Sequence, residues 1–349
     1  MSDSGTVCVY FVASPLQYLA ARSIARQIEK GARQVLIWYK PGLKSVVVAD
    51  EWDASTYMPW PRWEPMPGLF GRLRQSRANI RLVAALVGRC DKLILHSAVF
   101  DTESINYFLR ALPALSGAQS MQARILPDGL ISTRRYPLKL SKRIVQYVRG
   151  LRRFVAPELV YSRFDGDRIG SDADFVDRIY VLPGLPHEYP KNKVVILPPL
   201  VEVRDASVDV SASASGHVRR ALVVGQPLVD KGHMTDADAD TTMMEIHDYL
   251  KAQGITNVEY KAHPKDDAFG LRHSEYRLIE PSGALESYLV ETPYDFVVGV
   301  RSTTLLFARQ IYPESVKVIA FGWERIRFKS DAERNDMKKT FLTCGVELR

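Results

Sequence analysis

Cysteine is scarce: Cys8, Cys90 and Cys344 are the three in 349 residues. An odd and widely spaced set fits neither a disulfide framework nor zinc-ligand spacing. No apolar run approaches the ~20 residues of a membrane-spanning helix. The opening Met1-Ser2-Asp3-Ser4-Gly5 carries an acid and no base, so Val7–Ala13 reads as a first strand and not as a signal peptide. These absences lead us to expect a cytoplasmic protein. The sequence also lacks a Walker A loop, a Gly-x-Gly-x-x-Gly, a Gly-x-Ser-x-Gly and a His-Glu-x-x-His. No carboxylate pair follows a strand where it would hold a cation on a nucleotide sugar, so no metal or other cofactor is expected.

What is present is ordinary globular material, 46% hydrophobic and 25% charged. Single cores stop growing near ~250–300 residues, so a chain of this length is expected to form two domains. The formal charge of +7 suits an acidic ligand, an anionic membrane surface, a nucleic acid or simply a basic exterior.

Short β-branched runs alternate with helical patterns. The expected strands are Val7–Ala13, Val35–Tyr39, Lys92–His96, Ala123–Leu126, Arg220–Gly225, Val258–Ala262, Phe296–Val300 and Val316–Phe321. Helices are expected from Pro15 after the Ser14 cap, and over Asp240–Gln253, Leu285–Val290 and Thr303–Gln310. Such alternation makes parallel sheets flanked by helices. Five prolines between Pro183 and Pro199, then the low-complexity run Ser207–Gly216, break the pattern. The expected fold is α/β and GT-B-like: two doubly wound Rossmann-like domains facing a cleft, with an N-terminal domain over 1–190, a linker over 191–215 and a C-terminal domain over 216–349.

Polar residues directly after parallel strands are the candidates for chemistry, because those loops gather at the sheet's carboxyl edge. Asp128, in Pro127-Asp128-Gly129, is either a simple turn residue or a carboxylate able to take a proton from an attacking hydroxyl. His263, in Lys261-Ala262-His263-Pro264-Lys265, is either a solvated turn residue or a phosphate ligand and proton donor, with Lys261 and Lys265 adding positive potential. In Arg301-Ser302-Thr303-Thr304, an apolar strand feeds hydroxyls that open a helix. That is an ordinary cap or an anion site built from free amides and the helix dipole. Gly225 and Gln226 follow another strand and allow close ligand approach, and Glu286 either binds ribose hydroxyls or faces water.

The segment Arg134–Arg153 holds eight basic residues and no acid, with Leu140, Ile144, Val145, Val148 and Leu151 at helical spacing. It is read as a peripheral contact with an anionic membrane or a polyanion, or else as a core-packed helix with a solvated basic face. No nucleic acid partner is expected.

Taken in order, Asp128-Gly129, His263-Pro264 and Ser302-Thr303 resemble the bacterial sialyltransferases of GT-B fold, nearest the capsule polysialyltransferase and lipooligosaccharide sialyltransferase branches. Ser14-Pro15-Leu16-Gln17 resembles the Pro-Leu-Gln element after their first strand, and Gly225-Gln226-Pro227 the start of their second domain. The resemblance implies that Asp128 is the base on the acceptor hydroxyl, that His263 binds the donor phosphate and assists departure of CMP, that Ser302 and Thr303 hydrogen-bond that phosphate, and that Glu286 binds the ribose. It further implies an inverting, metal-independent transfer of a sialic acid or related nonulosonic acid from a CMP donor to a cell-surface glycan. Pro127 is a departure, since the family's motif has a second acid there. Other GT-B enzymes, such as a Kdo transferase or a nucleotide-sugar epimerase, and a non-catalytic carbohydrate- or phosphate-binding protein are the alternatives.

Overall fold

Six successive residues of the first strand, Val7 to Val12, are buried. A strand apolar on both faces belongs in the middle of a parallel sheet covered by helices. The computed structural model bears this out. It describes residues 5–128, 135, 137–154, 156–183, 187–201, 218–263, 266, 269–281 and 285–349. The chain divides into two units, Met1–Leu182 with His187–Pro198, and Pro199–Arg349 with Pro183–Pro186.

The N-terminal unit runs β1 (Thr6–Val12), α1 (Pro15–Ser23), β2 (Arg33–Trp38), β3 (Ala54–Tyr57), α2 (Gly71–Val87), β4 (Lys92–Ser97), α3 (Glu103–Asn106), α4 (Phe108–Ser116), β5 (Ser120–Ile125), α5 (Leu140–Gly150), β6 (Val176–Val181) and β7 (Val194–Ile196). Its strands lie in the order β3-β2-β1-β4-β5-β6-β7, all parallel. Phe11, Ile37, Leu95, Phe108 and Ile125 belong to one buried cluster beneath the helices. β7 corrects the expected linker over 191–215. Three residues are too short to show a period, yet Ile179–Val181 pair with them as a parallel edge strand. β7 therefore fills part of the stretch in which the sequence pattern breaks.

The C-terminal unit runs β8 (Arg220–Val224), α6 (Asp236–Ala252), β9 (Asn257–Lys261), β10 (Arg277–Leu278), α7 (Leu285–Glu291), β11 (Phe296–Gly299), α8 (Thr303–Ile311), β12 (Lys317–Ala320), α9 (Asp331–Thr343) and β13 (Glu347–Leu348). The parallel order is β10-β9-β8-β11-β12-β13. Counted within the unit this is 3-2-1-4-5-6, the doubly wound order, and the first unit shares it before adding β7. α6 begins earlier than expected, at Asp236, because Thr235 and Asp238 form a reciprocal capping box. Among the described residues no helix is long and apolar enough to cross a membrane.

The segment around α5 departs from the core-packed alternative. Gln146 is its one buried residue, and Arg149 ties the helix down through Asp101 and Glu103. The apolar side is the exposed one: Leu140 is 77% accessible and Phe154, in the following turn, 74%.

Candidate functional site

In a doubly wound sheet the loops after the first and fourth strands part at the switch point and leave a crevice. In the C-terminal unit these strands are β8 and β11. A cavity of about 600 Å3 opens there, lined from the loops after β8, β9 and β11 and by the start of α8.

Gly225 directly follows β8, and its amide donates to the Lys261 carbonyl at 2.9 Å. A Cβ at this position would lie 2.3 Å from the Tyr260 hydroxyl, so glycine is required by space. Gln226 acts on the other loop: its Oε1 accepts from the Arg301 backbone amide at 2.8 Å. It fixes the turn after β11 and so serves as a positioning residue. Ser302 caps α8, with its hydroxyl accepting from the Thr304 amide at 3.2 Å. Thr303, the first helical residue, is exposed and leaves its hydroxyl at the cavity wall. The positive end of the α8 dipole therefore meets the cavity.

His263 and Lys261 line the opposite wall. His263 leaves β9 through a turn closed by the Asp266 amide on its carbonyl at 3.0 Å. Asp266 is a buried carboxyl that accepts from the Tyr260 hydroxyl at 3.1 Å, and burial raises its pKa. Lys261 donates from Nζ to the Ala262 carbonyl at 2.6 Å.

Two further groups complete the wall. Arg301 donates to Glu333 at 3.2 Å and lies over the Phe328 ring at 5.4 Å. It also meets His233 Nδ1 at 3.3 Å. A guanidinium has no acceptor, so Nδ1 accepts and the proton of neutral His233 sits on Nε2. Burial and the Arg301 charge hold the His233 pKa below its ordinary value. The sequence gives His233 no signal, since it follows a turn and no strand leads into it. Its lone clue is the proximity of Lys231, which also lines the cavity.

No carboxylate lines this cavity among the described residues, while Lys231, Lys261 and Arg301 supply positive charge. The arrangement suits a phosphate. Asp-x-Asp stretches do occur in the chain, at 165–167, 172–174 and 236–240, and their roles are local. Asp238 caps α6, and Asp167 accepts from the amides of Ile169, Gly170 and Ser171. Elsewhere in the unit, His247, His273 and Glu275 bring potential ligand atoms within 4.8 Å of one another. The two imidazoles stack at 3.7 Å with planes 20° apart, which sends their lone pairs side by side and not toward one metal.

Asp128 belongs to the N-terminal unit, beyond the end of β5. Its Oδ1 accepts from Gln17 Nε2 at 2.8 Å, and the Gln17 Oε1 accepts from the Ala13 amide at 2.7 Å. Gln17 is buried in the first turn of α1, whose start is set by Ser14 and Pro15. The Pro-Leu-Gln element thus holds the carboxylate in place. Burial and the Asp128 charge both raise the pKa of the neighbouring Tyr39 hydroxyl. The structure therefore gathers Gly225, Gln226, Lys261, His263, Ser302 and Thr303 around one cavity and sets Asp128 in the other unit. The side chain of Glu286 lies outside the described residues, as do Gly129, Pro264 and Lys265.

Residues 200–320 match the family model for alpha-2,8-polysialyltransferase (POLYST). Among curated proteins none is similar enough to match. Of solved structures, the UDP-GlcNAc 2-epimerase from Methanocaldococcus jannaschii is 11% identical with a TM-score of 0.49, covering 99% of this chain and 88% of its own. The spinosyn rhamnosyltransferase SpnG complexed with thymidine diphosphate is 13% identical with a TM-score of 0.42, covering 99% of this chain and 86% of its own.

Proposed function

We propose, from the sialyltransferase-like character of residues 200–320, that the chain is an inverting glycosyltransferase that moves a sialic acid or related nonulosonic acid from a CMP donor to a cell-surface glycan. The observation that carries this reading is the cavity at the β8/β11 switch point. It joins two imidazoles, a helix start with hydroxyls and three cationic side chains, with no acid in its lining among the described residues. A phosphodiester needs such surroundings, and a leaving cytidylate gains charge that these groups stabilise as the glycosidic bond breaks.

In this reading the acceptor oxygen bonds to the anomeric carbon as the bond from that carbon to the phosphate oxygen breaks. Asp128 takes the acceptor's proton, and the bonding electrons leave with CMP. Protonated His263 donates to the departing phosphate, and Ser302 and Thr303 donate from hydroxyl and amide. Gln17 keeps the Asp128 carboxylate oriented, and Gln226 keeps the β11 turn in register with α8. Positive side chains and the helix dipole do the neutralising that a divalent cation does elsewhere, so the transfer is metal-independent.

The test is a screen of CMP-activated acidic sugars for CMP release, with and without glycan acceptors, run in buffer with and without EDTA. Acceptor-dependent release that survives the chelator and falls at least about a hundredfold in His263→Ala is the expected result. Absence of CMP release from every CMP-sugar would leave a binding protein, and loss with EDTA restored by magnesium would overturn the metal-independent mechanism.

A further inference from the structure

The second notable surface lies on the N-terminal unit and has no part in the proposed transfer chemistry. α5 and the turn after it carry Leu140, Ile144, Tyr147, Val148, Leu151 and Phe154, all more than half exposed. At 100° per residue these six fall on one stripe, while Gln146 and Arg149, which hold the helix to the protein, fall on the opposite side. The stripe therefore points directly away from the body. A soluble surface helix has the reverse arrangement, with its apolar stripe inward.

A second apolar projection stands nearby. Leu69 is 88% exposed, and Phe70, also exposed, takes a left-handed φ of 60° immediately before α2. An aromatic residue in that region is strained, which calls for a reason other than local stability. Between the two projections lies a cavity of about 370 Å3, bordered by Arg72 and Leu73 of α2 and by Lys142, Arg149 and Arg152 of the α5 segment. Six cations line it against two carboxylates, Asp101 and Glu103. Burial and the neighbouring Arg72 charge lower the Arg152 pKa. The sequence adds that no acid occurs from Gly129 through Pro157.

We propose that this face of the N-terminal unit docks on an anionic lipid bilayer, with the α5 stripe and Leu69–Phe70 in the headgroup–acyl boundary and the cation-lined hollow between them facing lipid phosphates. Outward apolar residues flanked by bases, on a helix too short to span, are what an interfacial helix requires. The cations make the binding depend on anionic lipid and weaken with salt. A neutral protein partner would explain the apolar stripe and leave the excess of cations without a counterpart.

Flotation with phosphatidylcholine vesicles, with and without phosphatidylglycerol, tests this on the full chain. Binding is expected to require phosphatidylglycerol and to decline as salt is raised. Ile144→Asp with Val148→Asp should lower the bound fraction at least about tenfold, with CMP release to a soluble acceptor unchanged. Phe70→Asn should also weaken binding while holding or raising Tm, because Asn accepts the left-handed conformation; a merely structural role for Phe70 would lower Tm. Equal flotation with neutral vesicles, no flotation at all, or a dimer that the Ile144/Val148 variant dissociates without any lipid binding would each overturn the proposal. None of these outcomes bears on whether CMP is released, so the docking surface and the transfer reaction fail separately.

Discussion

The N-terminal unit presents at the carboxyl edge of its sheet a carboxylate held by an amide, Asp128 on Gln17. The C-terminal unit presents imidazoles, hydroxyls and cations around a 600 Å3 cavity. Both sheets have the 3-2-1-4-5-6 order, so topology does not separate them. The difference lies in the few residues that follow each strand. A shared winding supplies the place for a ligand, and the loops decide its charge. The units differ as much in their buried ionisable groups. His96, wholly buried on β4 and stacked on Tyr10 at 4.2 Å, is held neutral by burial and by the Arg124 charge. Glu259, wholly buried on β9, is ionised instead: burial alone would raise its pKa, but hydrogen bonds from Tyr294, Arg277 and Arg220 lower it.

If the division of labour holds, a change in either unit has its own kinetic signature. Asp128→Asn should cut acceptor-dependent transfer by about a thousandfold and leave CMP affinity unaltered, within the range for loss of a general base. Calorimetric titration with CMP beside the transfer assay checks both halves, and weakened CMP binding would erase the contrast. Gln17→Leu removes the holding amide without touching the carboxylate. A fall of about tenfold in transfer, again at constant CMP affinity, is expected. Ser302→Ala should act in the reverse sense, weakening CMP binding, and should also cost about 1 kcal/mol of stability through loss of the α8 cap, read from denaturant unfolding.

The smallest effect concerns acid. Because the folded pKa of His96 lies below its unfolded value, the unfolded chain takes up the proton first as pH falls below about 6.5, and the N-terminal unit loses stability from there downward. Glu259 has the opposite history. Its folded pKa is depressed, so its contribution is present above the unfolded value of about 4.3 and is lost as pH falls through the lower folded one. Scanning calorimetry across pH should thus show the N-terminal unit softening first, and His96→Phe should flatten that slope. The His96 ring nitrogens make no well-aligned hydrogen bond among the described residues, so phenylalanine forfeits little.

The eight expected strands all appear, each with bounds shifted by up to three residues, since their β-branched runs are buried on both faces. What escaped includes α2, α4 and β6, which are neither short nor wholly polar, together with elements that are. Ala54–Tyr57 is half-buried throughout, Val194–Ile196 is an edge of three residues, and α9 buries only Phe341, so none has a period to read. At the candidate site, the residues that directly follow a strand were legible. His233 was not, and neither was the Gln17–Asp128 bond, whose partners stand 111 residues apart. For α5 the pattern disclosed an apolar stripe but not its direction, because that depends on what Arg149 and Gln146 find to hold.

Gly225 sets a limit on how this protein can be altered. With the Tyr260 hydroxyl 2.3 Å from where a methyl group would stand, every other amino acid at 225 must first displace a ring that is itself held by Asp266. If the pocket holds the proposed donor, reshaping it for a different activated sugar has little room on that side. Lys231 and Thr303, whose side chains are exposed, meet no such packing barrier, but both are among the groups proposed to hold the phosphate.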